Sequence, residues 1–303
     1  MGDIRIFKIS GDKAQELSGS SVALEKSLQT YIEHNLESLL GIRFIASEYS
    51  TGKTHGGRID TLGLDENGCP VIIEYKRALK ENVINQGLYY LDWLLDHQAE
   101  FELKAMKVLD IKEDDIEWIP RLLCIAGDFT KYDIHAVQQI TRNIELIKYQ
   151  KYGDELLLLE LVNATNVQYF EDLSPTVKAI TSKTTPKTFE MNYNQADVEL
   201  RDLYDTLRAF IEALGDDVQV NKLKHYIAFK RISNFACVEI RPQARHITVY
   251  VKVNPKDITL EPGFTRDVRN IGHYGTGDLE IIIKSSADLK KAEELISRSY
   301  DNS

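Results

Sequence analysis

The stretch RIDTLGLDENGCPVIIEYK, residues 58–76, constrains the fold of this chain more than any other. RIDTLGL (58–64) and PVIIEYK (70–76) are short, rich in β-branched residues and separated by the turn signal Asp65-Glu66-Asn67-Gly68, which predicts a β-hairpin. A three-residue loop Glu66-Asn67-Gly68, with Gly68 left-handed, makes a type I turn followed by a bulge. That register pairs Asp65 with Cys69 and, counting back along both strands, Asp60 with Glu74. Directly opposed side chains have Cβ atoms about 5 Å apart on one sheet face. Lys76, two residues beyond Glu74, projects from the same face. Opposed like charges ask for a cation. Two carboxylates and an ammonium on one strand pair describe a divalent-metal site for phosphodiester hydrolysis. The competing reading is a solvated hairpin face. Val71-Ile72-Ile73 ahead of Glu74 reads as a buried central strand, where a charge needs a partner or a metal.

Asp60, a spacer and Glu74-x-Lys76 resemble the signature of the PD-(D/E)XK nucleases. The segment GRIDTLGLDENGCPVIIEYKR is similar to the catalytic domain of NucS-type endonucleases, and Gln86-Gly-Leu-Tyr-Tyr90 resembles the Q-x-x-x-Y element of RecB-like members. The likeness runs over about residues 20–165. It implies a restriction-endonuclease-like α/β fold, a mixed sheet flanked by helices, with DNA as partner and Mg²⁺ or Mn²⁺ as cofactor. Too little sequence precedes residue 20 for the N-terminal DNA-binding domain of NucS proteins, so their choice of substrate is not implied.

The resemblance also asks for a metal carboxylate from the first helix. On a wheel of about 100° per residue, Glu25 falls at the edge of the face made by Leu24, Leu28 and Ile32, and Glu33 falls toward solvent. Glu25 is therefore the expected ligand with Asp60 and Glu74, and Glu25-Lys-Ser-Leu28 agrees with the family's E-x-x-L. The alternative is a charge favoured at a helix start by the dipole. Oxygen donors of this kind suit a hard, partly hydrated ion. The implied mechanism is in-line attack by a metal-activated water, oriented by Lys76. Gln86 and Tyr90 lie at i and i+4 on one helix face. They serve either DNA contact or packing of the tyrosine. Lys53, His55 and Arg58 before Asp60, with Arg77 and Lys80 after Lys76, form either a strip for DNA or ordinary charge neutralisation.

A net charge of −10 excludes a protein that coats nucleic acid non-specifically, but not a nuclease with a local basic strip. At 303 residues the chain has room for two cores. Membrane insertion is not expected, since about 18 consecutive apolar residues are nowhere found. The N-terminus MGDIRIFKISGDK lacks a signal-peptide core and reads as a first strand. With Cys69, Cys124 and Cys237 scattered and odd in number, a cytoplasmic protein with buried thiols is expected. A homodimer is compatible with the sequence.

A helix is expected over 22–41, ended by Gly41, then a strand (42–51), a loop (52–57) and the hairpin. A helix (80–97), a strand (121–129), a helix (132–144) and a hairpin about Gly153-Asp154 complete the first domain, 1–165. Residues 166–194, rich in Ser, Thr, Lys and Pro, read as a linker. Residues 195–303 read as a smaller α+β domain with an antiparallel sheet, for recognition of substrate or partner. Ser50-Thr-Gly-Lys-Thr54 is not a phosphate-binding loop, since Ser47 stands where its first glycine belongs. Gly272-His-Tyr-Gly-Thr-Gly277 reads more simply as a loop before a strand than as a phosphate cradle. The leading expectation is a metal-dependent deoxyribonuclease of repair or defence. The alternatives are a catalytically silent nuclease fold that binds nucleic acid or protein, and a soluble component of a transport or signalling system.

Overall fold

The hairpin forms in the expected register. Gly68 adopts φ 79°, its N–H donates to the Asp65 carbonyl, and the Asp65 N–H donates to the Cys69 carbonyl. Strands β5 and β6, defined below, then pair from Leu64↔Pro70 back to Thr61↔Ile73. The computed structural model describes residues 4–20, 25–76, 83–165 and 187–303, apart from the side chains of Glu25, Thr54 and Lys76. Arg77 and Lys80, and residues 166–186 of the expected linker, lie outside the described residues.

The chain begins with an exposed hairpin, β1 (Ile6–Ser10) and β2 (Lys13–Leu17), and a short β3 (Gly19–Ser20). Next come α1 (Glu25–His34), α2 (Leu36–Leu40), β4 (Ile42–Ser50) and α3 (Gly52–His55). The hairpin is β5 (Arg58–Asp65) and β6 (Pro70–Lys76). Helices α4 (Val83–Asp96) and α5 (Gln98–Leu109) cross to β7 (Arg121–Ala126), and α6 (Lys131–Gln138) crosses to β8 (Asn143–Tyr152). Strand β9 (Leu156–Thr165) folds back on β8.

These strands make a mixed seven-stranded sheet, ordered β3-β8-β7-β6-β5-β4 with β9 on β8. Strands β6, β7 and β8 run parallel, as helical crossovers require, and the hairpins are antiparallel. Side chains alternate between faces. Val71, Ile73, Leu123 and Ile125 pack with Leu28, Ile32 and Leu36 of α1 and α2. Leu62, Ile72, Leu122 and Cys124 pack with Leu91, Trp93 and Leu94 of α4. The fold is thus α/β, a sheet between helical layers.

Several boundaries differ from expectation for local reasons. The first helix breaks at Asn35, whose side chain donates to the Tyr31 carbonyl and so competes with helical bonding. Residues 52–57 contain the helical turn α3, closed by Gly56 at φ 61°. The Thr130 cap starts α6 one residue early, and Asn143 and Ile144 belong to β8 rather than to a helix.

Beyond residue 187 lie α7 (Phe189–Gln195), α8 (Val198–Glu212), β10 (Gln219–Lys222), β11 (Ile227–Lys230) and β12 (Asn234–Arg241). Strands β13 (His246–Val251), β14 (Thr265–Asp267) and β15 (Leu279–Ile283) precede the terminal α9 (Ser286–Asp301). They build an antiparallel six-stranded sheet, ordered β10-β11-β12-β13-β15-β14. Helix α7 occupies sequence read as linker. Its Thr188 side chain caps it, and Phe189 packs its ring on Tyr204.

The two sheets meet at the tip of the β5–β6 hairpin. Tyr226 Oη and Asn234 Nδ2 donate to Asn67 Oδ1 at 3.0 and 2.8 Å, and Lys252 Nζ reaches Glu66 Oε1 at 3.0 Å. Beneath them lies a buried charge network. Arg121 forks onto both oxygens of Glu145 at 2.8 and 2.9 Å and also donates to Asp65. Lys230 of β11 completes it, reaching Glu145 Oε1 at 2.9 Å. Two cations and two carboxylates balance, as charges withdrawn from water must.

Candidate active site

At the open end of the hairpin the ladder gives way to side-chain bonding. The Asp60 N–H donates to Glu74 Oε1 at 3.1 Å, and the Tyr75 N–H donates to Asp60 Oδ2 at 3.0 Å. Each carboxylate thus holds the opposite strand. Glu74 is 1 % exposed and Asp60 is half-buried. Burial, then the charge of Asp60 and that of Glu48, push the Glu74 carboxyl up to about 9, against the Asp60 N–H, which pulls it down. Two oxygen-donor side chains, one of them raised by burial and by the neighbouring acid, fit a hard divalent cation, whose charge would restore Glu74 as a carboxylate. Mg²⁺ is commonly held by one or two carboxylates, with waters and substrate phosphates filling the rest. Among the described residues, no three His, Cys, Asp or Glu side chains are grouped to hold a metal ion.

Glu48 has no counterpart in the expected site. It lies between the pairs Ser47↔Thr61 and Tyr49↔Ile59, level with Asp60 across β4 and β5. Glu48, Asp60 and Glu74 therefore stand at one level on three neighbouring strands. Its backbone is left-handed, φ 51°, within a strand. That costs a residue with a Cβ about 1–2 kcal/mol. Its carboxylate takes Arg58 Nε at 2.9 Å and Lys26 Nζ at 3.2 Å. The sequence signal, a glutamate two residues from the end of a strand, was too ordinary to find it.

Glu33 does not face solvent as the wheel argument expected. It is half-buried and accepts from Thr61 Oγ1 at 2.6 Å and Gln29 Nε2 at 3.0 Å. The wheel counted apolar residues only. Gln29 is 4 % exposed, donating also to the Asp60 carbonyl, so the buried arc of α1 is rotated toward Gln29 and Glu33. Thr61 and Asp60 are successive strand residues and point to opposite faces. Glu33 thus braces β5 from behind the carboxylate pair. Glu25 opens α1 and Lys76 closes β6, and their side chains lie outside the described residues.

Tyr90 is buried, and its hydroxyl accepts from the Arg58 N–H at 3.1 Å and from Gln86 Nε2 at 3.3 Å. It pins the start of β5, two residues from Asp60. Gly57 is needed there, since a Cβ would stand 2.4 Å from the Tyr90 ring. Gln86 and Lys53 are exposed, and Arg58 is exposed while paired with Glu48.

Residues 190–303 match a family model described as a domain of unknown function, DUF5655. An uncharacterized protein of Haemophilus influenzae is 29% identical over 307 residues, covering 97% of this chain and 98% of its own length. A solved structure titled as an EndoMS–dsDNA complex aligns with TM-score 0.30 and 20% identity, over 43% of this chain and 47% of that one. At that level of likeness neither its fold nor its DNA is carried over. No helix among the described residues is long and apolar enough to cross a membrane.

Proposed function

We propose that this chain is a metal-dependent nuclease that hydrolyses DNA phosphodiester bonds. The observation that carries the reading is the reciprocal bonding of Asp60 and Glu74 at the buried end of a hairpin that continues into Glu74-x-Lys76. Asp60 and Glu74 would hold Mg²⁺ or Mn²⁺, which when bound supplies charge neutralisation at phosphate and a more acidic water. The chain's own residues have separable parts. Glu74, withdrawn from water, fixes the position of Asp60 through its backbone. Tyr90 fixes the start of β5, so that the Asp60 carboxylate cannot drift. Lys76, the last residue of β6, would orient the attacking water and steady the charge on phosphorus. Glu25, Gln86, Arg58, Lys53 and Arg77 are retained as candidate metal or DNA contacts. Residues 195–303, bonded to the tip of the same hairpin, would serve recognition.

The test is cleavage of single-stranded, duplex, mismatched and branched DNA by the full chain with Mg²⁺, with Mn²⁺ and with EDTA. Cleavage that requires the metal and is lost in both Asp60→Ala and Glu74→Ala supports the reading. Cleavage that survives both substitutions overturns it. Folded protein that binds DNA but turns over none of these substrates with either ion supports the silent alternative.

A further inference from the structure

The six-stranded sheet turns one face to its helices and the other to a cavity. Val238, Val249 and Ile281 pack with α8 and α9. On the opposite face Arg241, Tyr250 and Glu280 line an open cavity of about 840 Å³, with Arg266, His273 and Tyr274 also in its wall. A volume of that order accepts a small ligand.

Two arginines are held over it by buried acids. Arg241 pairs with Glu239, and Arg266 Nη2 meets Glu280 Oε2 at 2.7 Å. The acids are 3 % and 5 % exposed, whereas the arginine side chains are 46% and 57% exposed. A solvated sheet face has no reason to sink its glutamates. A carboxylate engages at most part of a guanidinium's five donors, so each fork keeps N–H groups for something else. The anchoring acids are two strands and two residue levels apart, about 12 Å. Burial pushes the Glu239 carboxyl up to about 7, against the neighbouring Arg241, which pulls it down.

Three aromatic rings share the same wall, Tyr250 buried, His273 half-buried and Tyr274 exposed. Tyr250 stacks on His273 with centroids 4.3 Å apart, and Tyr274 stacks on His225 at 4.6 Å. His273 Nδ1 bonds to the Ile271 carbonyl, which can only accept, and its buried Nε2 has no partner among the described residues. Two acid-anchored cations beside aromatic rings complement a ligand that is planar and aromatic at one end and anionic at the other.

We propose that this cavity binds a nucleotide, its base against the rings of Tyr274 and His273 beside Arg266 and its phosphate on Arg241. The site stands apart from the nuclease reading and needs no metal. Its ligand is either a free nucleoside phosphate or one nucleotide of a strand.

Calorimetric titration of the full chain in EDTA separates these sources. The probes are the deoxy- and ribonucleoside 5′-monophosphates, the parent nucleosides, inorganic phosphate and a short single-stranded oligonucleotide. Saturable binding of a monophosphate assigns the free nucleotide, and binding of the oligonucleotide without any monophosphate assigns the strand. Arg241→Lys, which keeps the charge and loses the fork, should weaken either at least tenfold. Tyr274→Ala, at an exposed ring, should weaken it about tenfold, the scale of one base stacked on an aromatic side chain. Both variants should melt close to the wild type. Phosphate alone binding as tightly as a nucleotide, nothing binding, or variants that bind like the wild type would each overturn the proposal.

Discussion

The backbone N–H of Asp60 donates to the carboxylate of Glu74, so the acid most deeply buried at this site holds the one beside it. A group bound in this way couples ionisation to fold.

That coupling has a definite sign. The folded carboxyl of Glu74 lies near 9, above its ordinary value of 4.5, so the folded state retains a proton that the unfolded state gives up. Metal-free protein should lose stability as pH rises from about 4.5 to about 9, by several kcal/mol if nothing relaxes. Thermal melts in EDTA across that range should show the decline, and Glu74→Gln should flatten it. Mg²⁺ should then stabilise more at pH 8 than at pH 6, with proton release visible by calorimetry in buffers of different ionisation enthalpy. A metal effect independent of pH would contradict the arrangement.

Lys76→Ala should leave metal binding intact and lower turnover about 10²-fold, the scale of one lost electrostatic contact to a developing charge. Single-turnover cleavage beside a calorimetric metal titration distinguishes this from loss of the ion.

Glu48 tests its own backbone. Glu48→Gly and Glu48→Ala remove the same carboxylate, but only glycine takes φ 51° without cost. The glycine variant should be the more stable by about 1 kcal/mol in urea denaturation. Both should lower the Glu74 titration, because one of the charges that raise it is gone.

Arg121→Ala should cost about 3–5 kcal/mol, since it strands Asp65 and Glu145 in the interior with Lys230 alone to balance them. Arg121→Met in combination with Asp65→Asn, which leaves Lys230 paired with Glu145, should recover part of that loss. Chemical denaturation of the wild type and the two variants gives the comparison.

The hairpin was legible because its turn carries its own register. Once Gly68 is taken as left-handed, Asp60 and Glu74 must meet; the hairpin about Gly153 was expected from its turn alone, without its register. Helix phase was less informative, because a buried glutamine such as Gln29 turns a helix without altering its apolar count. Helix α5 was not anticipated. Its apolar residues Leu103 and Val108 are exposed, so its pattern does not mark one buried face. Nor does anything in Glu66 and Asn67 announce that their partners lie some 160–210 residues downstream.

A short polar turn is ordinarily where a protein tolerates a nick, an insertion or a change of loop length. The turn at Glu66–Gly68 forfeits that freedom. A Cβ on Gly68 would meet the Asp115 carbonyl at 2.2 Å, and Asn67 is bonded into the second sheet. One end of the hairpin therefore carries the interlocked carboxylates, and the other joins the two sheets. Drift in length at the tip would be felt as a shift at the carboxylates, and the two halves of the chain have to vary together.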